Sequence, residues 1–311
     1  MKAAFLSTKG FEIKEVEIPS YNNDEILVKS TGCGICEGDV FQYNIRNTLS
    51  EEVLLGHEGS GIVMAVGKNV KEFKPNDRVT SLGGKYAEYF VERAENLLLL
   101  PPEIDPVSAL GEPIACFVHA ASRFGTQKGD RVAVIGCGYM GTGCIEMVKI
   151  QGAGEIVAIE PLGWRRDQAL QCGATAVYDP TGKSANEILT DLGEFDIVIE
   201  AAGAAQVVDV CTALVKEHGT IVFVGYHQSN NGVRTVDMKT WNYKAINVIN
   251  GHVRRNNEKA VAMKQGIELQ SRGLLNFDSM IEYYKLNDID KAFESLNSKK
   301  ISSTPMMSMV A

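Results

Sequence analysis

The sequence predicts an α/β chain in which a doubly wound parallel sheet follows a mainly β region. Three observations carry that prediction. Short runs of alternating apolar and polar residues fill the first hundred positions, wholly apolar runs alternate with helix-length segments from about residue 108 to 250, and a glycine-rich turn follows the first of those apolar runs. Period-two alternation marks strands buried on one face, whereas continuous apolar runs between turns mark strands buried on both.

The alternating runs at 2–6, 11–16, 25–29, 61–66 and 86–91 are separated by Gly, Pro and Asn and predict antiparallel strands. A helix-like stretch from 108 through 120 precedes the apolar run 131–135, the glycine turn and a long helical segment. Apolar runs at 155–159, 195–199 and 219–224, with a helical segment at 207–215, continue the alternation that builds a parallel sheet. Amphipathic patterns at 258–272 and 288–296 predict two further helices. The expected division places a nucleotide-binding domain at 116–249 and a mainly β domain at 1–115, to which 250–311 returns.

A formal net charge of −8 and the lack of a dense Lys/Arg cluster argue against nucleic-acid or membrane-surface binding, which needs basic residues against phosphates. A small-molecule partner is expected. No apolar run reaches the roughly 18 residues of a membrane span and no charged-then-apolar leader is visible, so the expected location is cytoplasmic. The seven cysteines are scattered and mostly inside apolar runs, the pattern of reduced, buried thiols. Cys36 is the exception argued below.

Gly136-Cys137-Gly138-Tyr139-Met140-Gly141 follows an apolar run and opens a helix. In that context Gly136 serves the tight turn, Gly138 lets backbone approach a pyrophosphate, and Gly141 allows close helix-to-strand packing; Tyr139 and Met140 complete the candidate cofactor-binding turn. Glu160 ends the next apolar run, about twenty residues beyond, where a carboxylate accepts the adenosine ribose hydroxyls and repels a 2′-phosphate. NAD is therefore the expected cofactor, although Arg165 and Arg166 lie close enough in sequence to offer a guanidinium to a phosphate.

Cys33 and Cys36 have the spacing of half a zinc knuckle without a second pair. Cys36 is followed by Gly56-His57-Glu58 and then by Leu110-Gly111-Glu112-Pro113. One thiolate, one imidazole and a carboxylate, with a position left for substrate, suit a catalytic zinc.

Taken together, Gly34-Ile35-Cys36-Glu37-Gly38-Asp39, Gly56-His57-Glu58, Glu112-Pro113, the glycine turn and the acidic strand end occur in an order that resembles the zinc-dependent medium-chain dehydrogenases/reductases. The resemblance covers the whole chain and is greater to the sorbitol and polyol dehydrogenases. It implies a GroES-like catalytic domain beside a Rossmann domain and one catalytic zinc per chain. Cys36 and His57 would be ligands, Glu58 or Glu112 would complete the shell, and Asp39 would orient it. It further implies hydride transfer between NAD and a secondary alcohol of a polyol, sugar or cyclitol, in a homodimer or homotetramer. Three other readings stay open: dehydrogenation of another alcohol or a threonine-like amino alcohol, a zinc-free NADPH quinone or enone reductase, and a non-enzymatic nicotinamide-binding sensor.

The chain departs from that family in three places. Only residues 80–85 separate the strand ending at Val79 from Tyr86, where many relatives carry a four-cysteine lobe, so no second zinc is expected. Gly38 and Phe41 replace the hydroxyl and the histidine of the usual proton relay, leaving Glu112, Glu58 or a metal-bound water to take the proton. Arg254 matches a substrate-side arginine of polyol dehydrogenases while Arg255 does not, so Phe41 and Arg254 are the candidate substrate contacts. His119 reads as a packing residue, and His218 and His227 as turn residues without chemistry.

Overall fold

The alternating runs of the first hundred residues form two antiparallel sheets in the computed structural model, which describes residues 1–276 and 281–298. β1 (Lys2–Ser7) pairs with β2 (Gly10–Glu15) and with β4 (Val53–Leu54). The larger sheet has β3 (Glu25–Gly34) and β5 (Glu58–Val66) at its centre. It is completed by β6 (Arg78–Ser81), β7 (Tyr89–Arg93) and β8 (Leu97–Leu99) in the order β7-β3-β5-β6-β8. The predicted strand at 86–91 begins only at Tyr89. Residues before it serve β1 instead, because Ala4 donates its N–H to the Tyr86 carbonyl and Ala3 bridges to Ala87.

A short helix, α1 (Glu37–Asn44), follows β3. Two helices at the far end of the chain complete this unit: α8 (Asn256–Ser271) and α9 (Ile289–Ser298), with α2 to α7 in the segment between. α9 adds Ile289, Ala292 and Phe293 to a core that also holds Ala4, Leu6, Cys33, Tyr43 and Tyr86. The Phe293 ring lies 4.8 Å from Phe11 and 5.1 Å from Tyr43, so the last described helix is fastened to the first strands by aromatic packing.

The second unit is a six-stranded parallel sheet. Its strands are β9 (Arg131–Ile135), β10 (Glu155–Ile159), β11 (Ala176–Tyr178), β12 (Phe195–Glu200), β13 (Val215–Phe223) and β14 (Asn247–Asn250), in the order β11-β10-β9-β12-β13-β14. The direction of winding therefore reverses between β9 and β12, and the glycine turn after β9 sits at that switch point. β9 and β10 are buried beyond their first residue, as strands covered on both faces must be. α2 (Gly111–Ala121) leads into this unit, and its other helices are α3 (Tyr139–Gln151), α4 (Gly163–Cys172), α5 (Ala185–Leu192), α6 (Val207–Leu214) and α7 (Met238–Lys244). Ser184 caps α5 through a reciprocal capping box with Glu187.

β13 starts four residues earlier than the apolar run suggests. A register shift against β12 between Phe195 and Ile197 absorbs the extra backbone, with His218 at φ +59° inside the strand rather than in a turn. The chain divides into units Met1–Ala115 with Arg254–Ala311, and Cys116–Val253. Residues 277–280 and 299–311 of the expected return segment 250–311 lie outside the described residues.

Candidate functional site

Strand pairing assembles the first group of candidate residues. In the β3–β5 ladder Gly34 stands opposite Glu58, so Cys36, just beyond the end of β3, meets His57 and Glu58 at the start of β5. Cys36 caps α1, its sulfur accepting the Gly38 N–H at 3.4 Å. Gly56 gives the entry to β5 its path: at φ +101° a Cβ would meet the Tyr86 nitrogen at 2.8 Å, so only glycine fits without displacing backbone.

The ligand atoms of Cys36, His57 and Glu58 lie within 4.8 Å of one another. The His57 ring is set between two carboxylates, with Nδ1 3.7 Å from Asp39 Oδ2 and Nε2 3.9 Å from Glu58 Oε1. Asp39 is buried and accepts the Tyr86 hydroxyl at 2.7 Å, which the sequence reading missed; the same hydroxyl lies 3.1 Å from the Gly34 carbonyl. Cys33 is not among these donors and lies fully buried in the core with residues of β1 and α9.

The chemistry of these donors suits a dication. Burial first, then the Glu112 and Asp39 charges, push the Glu58 carboxyl well above the ordinary range. Burial, then Glu58, push the Cys36 thiol up, and burial raises Asp39. Glu58 Oε2 is buried without a hydrogen-bond partner, a condition that costs about 1–3 kcal/mol. A divalent cation among them opposes each of these shifts, and sulfur, imidazole nitrogen and carboxylate oxygen together are a zinc-type set.

Glu112, the other candidate carboxylate, is placed differently. It lies in the first turn of α2, which Thr80 holds by accepting the Gly111 N–H at 2.8 Å, and its Oε1 accepts from Lys259 Nζ of α8. Lys259 drew no attention in the sequence, because a lone lysine on an amphipathic helix ordinarily points to water. Phe41 lies half-buried on α1, while Arg254 is exposed and Arg255 pairs with Glu258 at 3.4 Å.

The second group sits at the switch point of the parallel sheet. Gly136 has φ +90°, and a Cβ there would meet Ala202 at 2.8 Å; a Cβ on Gly141 would strike the Gly136 carbonyl. Gly138 caps α3, and among the described residues, its chain neighbours aside, a Cβ built there would come within 4 Å of Arg165 Nη1 alone, at 3.9 Å, which leaves the helix N-terminus open to an anion. The Tyr139 ring is buried edge-on to Phe117 at 6.2 Å, and Met140 is half-buried. Glu160 is buried with both oxygens engaged, Oε2 accepting the Cys137 N–H at 2.9 Å and Oε1 the Leu162 N–H at 3.0 Å. Arg166 is spent on the Glu160 and Pro161 carbonyls and on Asp179. Arg165 stands 3.9 Å from Glu160 Oε2, and its Nε is buried without a hydrogen-bond partner.

One buried carboxylate, Glu200, escaped the sequence reading. Glu200, fully buried at the end of β12, accepts the Ala202 and Gly203 N–H groups at 2.9 and 2.7 Å and lies 2.8 Å from His227 Nε2. Arg234 Nε donates to His227 Nδ1 at 2.9 Å, so Nε2 carries the proton and donates to Glu200. His227 is thus a polar link between two loops. The only sequence signal was a glutamate closing an apolar strand ahead of a glycine.

Two family models match the chain: the alcohol dehydrogenase GroES-like domain over residues 22–102 and the zinc-binding dehydrogenase domain over residues 140–266. An uncharacterised zinc-type alcohol dehydrogenase-like protein of Escherichia coli (strain K12), YdjJ, is 30% identical over 96% of this chain and 95% of its own. A sorbitol dehydrogenase of Bacillus subtilis (strain 168) is 30% identical over 74% of this chain and 76% of its own. Among solved structures, a zinc-binding dehydrogenase of Sinorhizobium meliloti 1021 bound to NADP shares the fold, with TM-score 0.87, 24% identity, and coverage of 100% of this chain and 99% of that one. No helix among the described residues is long and apolar enough to cross a membrane. With a GroES-like domain, a Rossmann-type sheet and relatives of this similarity along nearly its full length, the chain belongs to the zinc-type alcohol dehydrogenases of the medium-chain dehydrogenase/reductase family.

Proposed function

We propose that this protein reversibly oxidises a secondary alcohol of a polyol, sugar or cyclitol to the ketone, with NAD as hydride acceptor and one zinc per chain. The observation that carries the reading is the Cys36–His57–Glu58 group, whose buried carboxylate has an oxygen without a protein partner. Bound zinc supplies Lewis acidity that lowers the pKa of an alcohol hydroxyl, and the nicotinamide ring supplies the hydride acceptor.

The chain's own residues divide the remaining work. Cys36, His57 and Glu58 would hold the metal, with Asp39 and Tyr86 orienting the imidazole from the Nδ1 side. The α3 N-terminus and the open backbone at Gly138 would take the pyrophosphate. Glu160 would accept the adenosine ribose hydroxyls, its two carboxylate oxygens already aimed by main-chain N–H groups. Gly38 and Phe41 bring no proton-carrying group to α1. Phe41 and Arg254 are the proposed substrate contacts, and the similarity to a sorbitol dehydrogenase supports a polyol.

The test is zinc content together with NAD and NADP reduction across a panel of polyols and cyclitols, for wild type and Cys36→Ser. The expected result is one zinc per chain and NAD-preferring turnover of a polyol, both lost in the variant. Turnover that survives without zinc would move the protein to the zinc-free reductase reading, and cofactor binding without turnover of any alcohol would favour the sensor.

A further inference from the structure

Two loops leave the parallel sheet at the carboxyl ends of β12 and β13, and a polar cluster ties one to the other. Glu200, the last residue of β12, receives the Ala202 and Gly203 N–H groups on one oxygen and His227 Nε2 on the other. Arg234 closes the cluster, donating from Nε to His227 Nδ1 at 2.9 Å and from Nη2 to the Gly203 carbonyl at 3.3 Å. Its Nη1 bonds the Ser229 and Val233 carbonyls at 2.7 and 2.8 Å. The loops also touch through backbone, since a Cβ on Gly203 would meet the Tyr226 carbonyl oxygen at 2.6 Å and one on Gly225 would strike the Gly203 nitrogen. The first loop in turn rests on the glycine turn: Ala201 donates its N–H to the Ile135 carbonyl at 2.8 Å, and a Cβ on Gly136 would meet Ala202 at 2.8 Å. Ala202 and Tyr226 are nevertheless exposed, so a loop anchored from below presents its tip to solvent.

Building on the dinucleotide reading above, we propose that Glu200, His227 and Arg234 form a clamp that shapes the seat of the cofactor's nicotinamide half, with His227 as its positioning residue. In a doubly wound sheet the ligand lies across the switch point, at the carboxyl ends of the strands. With Glu160 at the end of β10 taking the adenosine half, the nicotinamide half falls on the other side of β9, where β12 and β13 end. The two clamped loops are the walls of that side. The ladder between their strands closes with the Gly225 N–H on the Glu200 carbonyl at 2.9 Å, and beyond it the cluster supplies side-chain bonds that cross from loop to loop. His227 holds both other members, so its loss uncouples them. A buried cluster of this kind fixes spacing narrowly, because a displaced imidazole leaves a buried carboxylate short of a donor. The clamp acts through the placement of loop backbone and needs no contact of its own with the cofactor.

The test compares two ligands on the full chain: NADH, followed by its fluorescence, and ADP, which lacks the nicotinamide nucleoside, followed by calorimetry. His227→Ala is expected to weaken NADH binding by about tenfold while ADP binding changes by no more than about twofold. Arg234→Gln leaves the Glu200–His227 bond in place and should cost about threefold for NADH, again sparing ADP. It carries the test alone if thermal unfolding shows that His227→Ala does not fold. Glu160→Ala supplies the contrasting pattern, weakening ADP and NADH alike. Equal losses of ADP and NADH in the clamp variants would overturn the proposal, because the cluster would then support the glycine turn as a whole, and so would an unchanged NADH affinity. If wild type binds neither ligand, the dinucleotide reading itself fails and the clamp falls with it.

Discussion

Glu58 and Glu160 are equally buried, 4% and 3% exposed, yet the two units treat them in opposite ways. Each Glu160 oxygen accepts a main-chain N–H, so its charge is solvated by the fold and its free lone pairs are aimed. Glu58 Oε2 receives nothing, and a thiol, an imidazole and further carboxyls are among the ionisable groups around it. A carboxylate satisfied by backbone is prepared for neutral hydroxyls, and one crowded by other donors is prepared for a cation. Glu200 extends the comparison: fully buried and bonded to two N–H groups and His227, it has the partners of a structural post.

If that contrast is right, the three carboxylates fail differently when changed. The largest effect is expected for Glu200→Leu, which strands two N–H groups and the His227–Arg234 pair. A loss of about 3–4 kcal/mol, measured by denaturant unfolding, is expected from breaking such a network. A change below about 1 kcal/mol would remove Glu200 from the structural class. Next, Glu160→Ala should cost about 2 kcal/mol, or about 30-fold, in NAD affinity by NADH fluorescence titration and reduce the preference for NAD over NADP. Stability should change less than affinity; the reverse would make Glu160 a strut of the turn rather than a ribose contact.

The pH dependence of the chelator-stripped protein sharpens the Glu58 side. Burial, then the charges of Glu112 and Asp39, hold its folded-state pKa well above the ordinary carboxyl value of 4.5, so between the two values the folded state binds more protons than the unfolded. Stability should then fall as pH rises from 4.5 towards the folded value, opposite to the usual carboxylate. Thermal unfolding of wild type and Glu58→Gln across that interval, compared as a difference, should show the decline only in wild type. A difference that grows in favour of wild type with pH would mean that Glu58 is stabilised as an anion. The smallest effect is expected for Tyr86→Phe, which removes the hydroxyl donated to Asp39 and should cost about 1 kcal/mol. A zinc affinity that falls further than stability would show that Tyr86 acts through Asp39 and His57.

Much of the fold was legible because local pattern and tertiary outcome agree. β9, β10 and β12 are apolar runs that only a doubly covered parallel sheet accommodates, and the glycines at 136, 138 and 141 announce a turn whose chemistry is local. The start of β13 was misplaced because 215–218 lacks a continuous apolar run and joins the strand through a register shift. Lys259, Glu200 and His227 were invisible for a shared reason: each is polar, each is common on surfaces, and each becomes notable only through a partner 27 to 147 residues away.

By itself the sequence determined the alternation of strands and helices, the anion-ready turn and its acidic partner at Glu160, and the residue types of the donor group at Cys36, His57 and Glu58. Those features depend on periodicity and short-range geometry, which the order of residues carries directly. The tertiary structure decided which of two glutamates stands with Cys36 and His57, that Arg165 faces the Glu160 carboxylate while Arg166 bonds the Glu160 and Pro161 carbonyls, and that Tyr86 backs Asp39. Such choices are made by burial and by pairing across long loops, where the free energy of a charge depends on what the fold brings beside it.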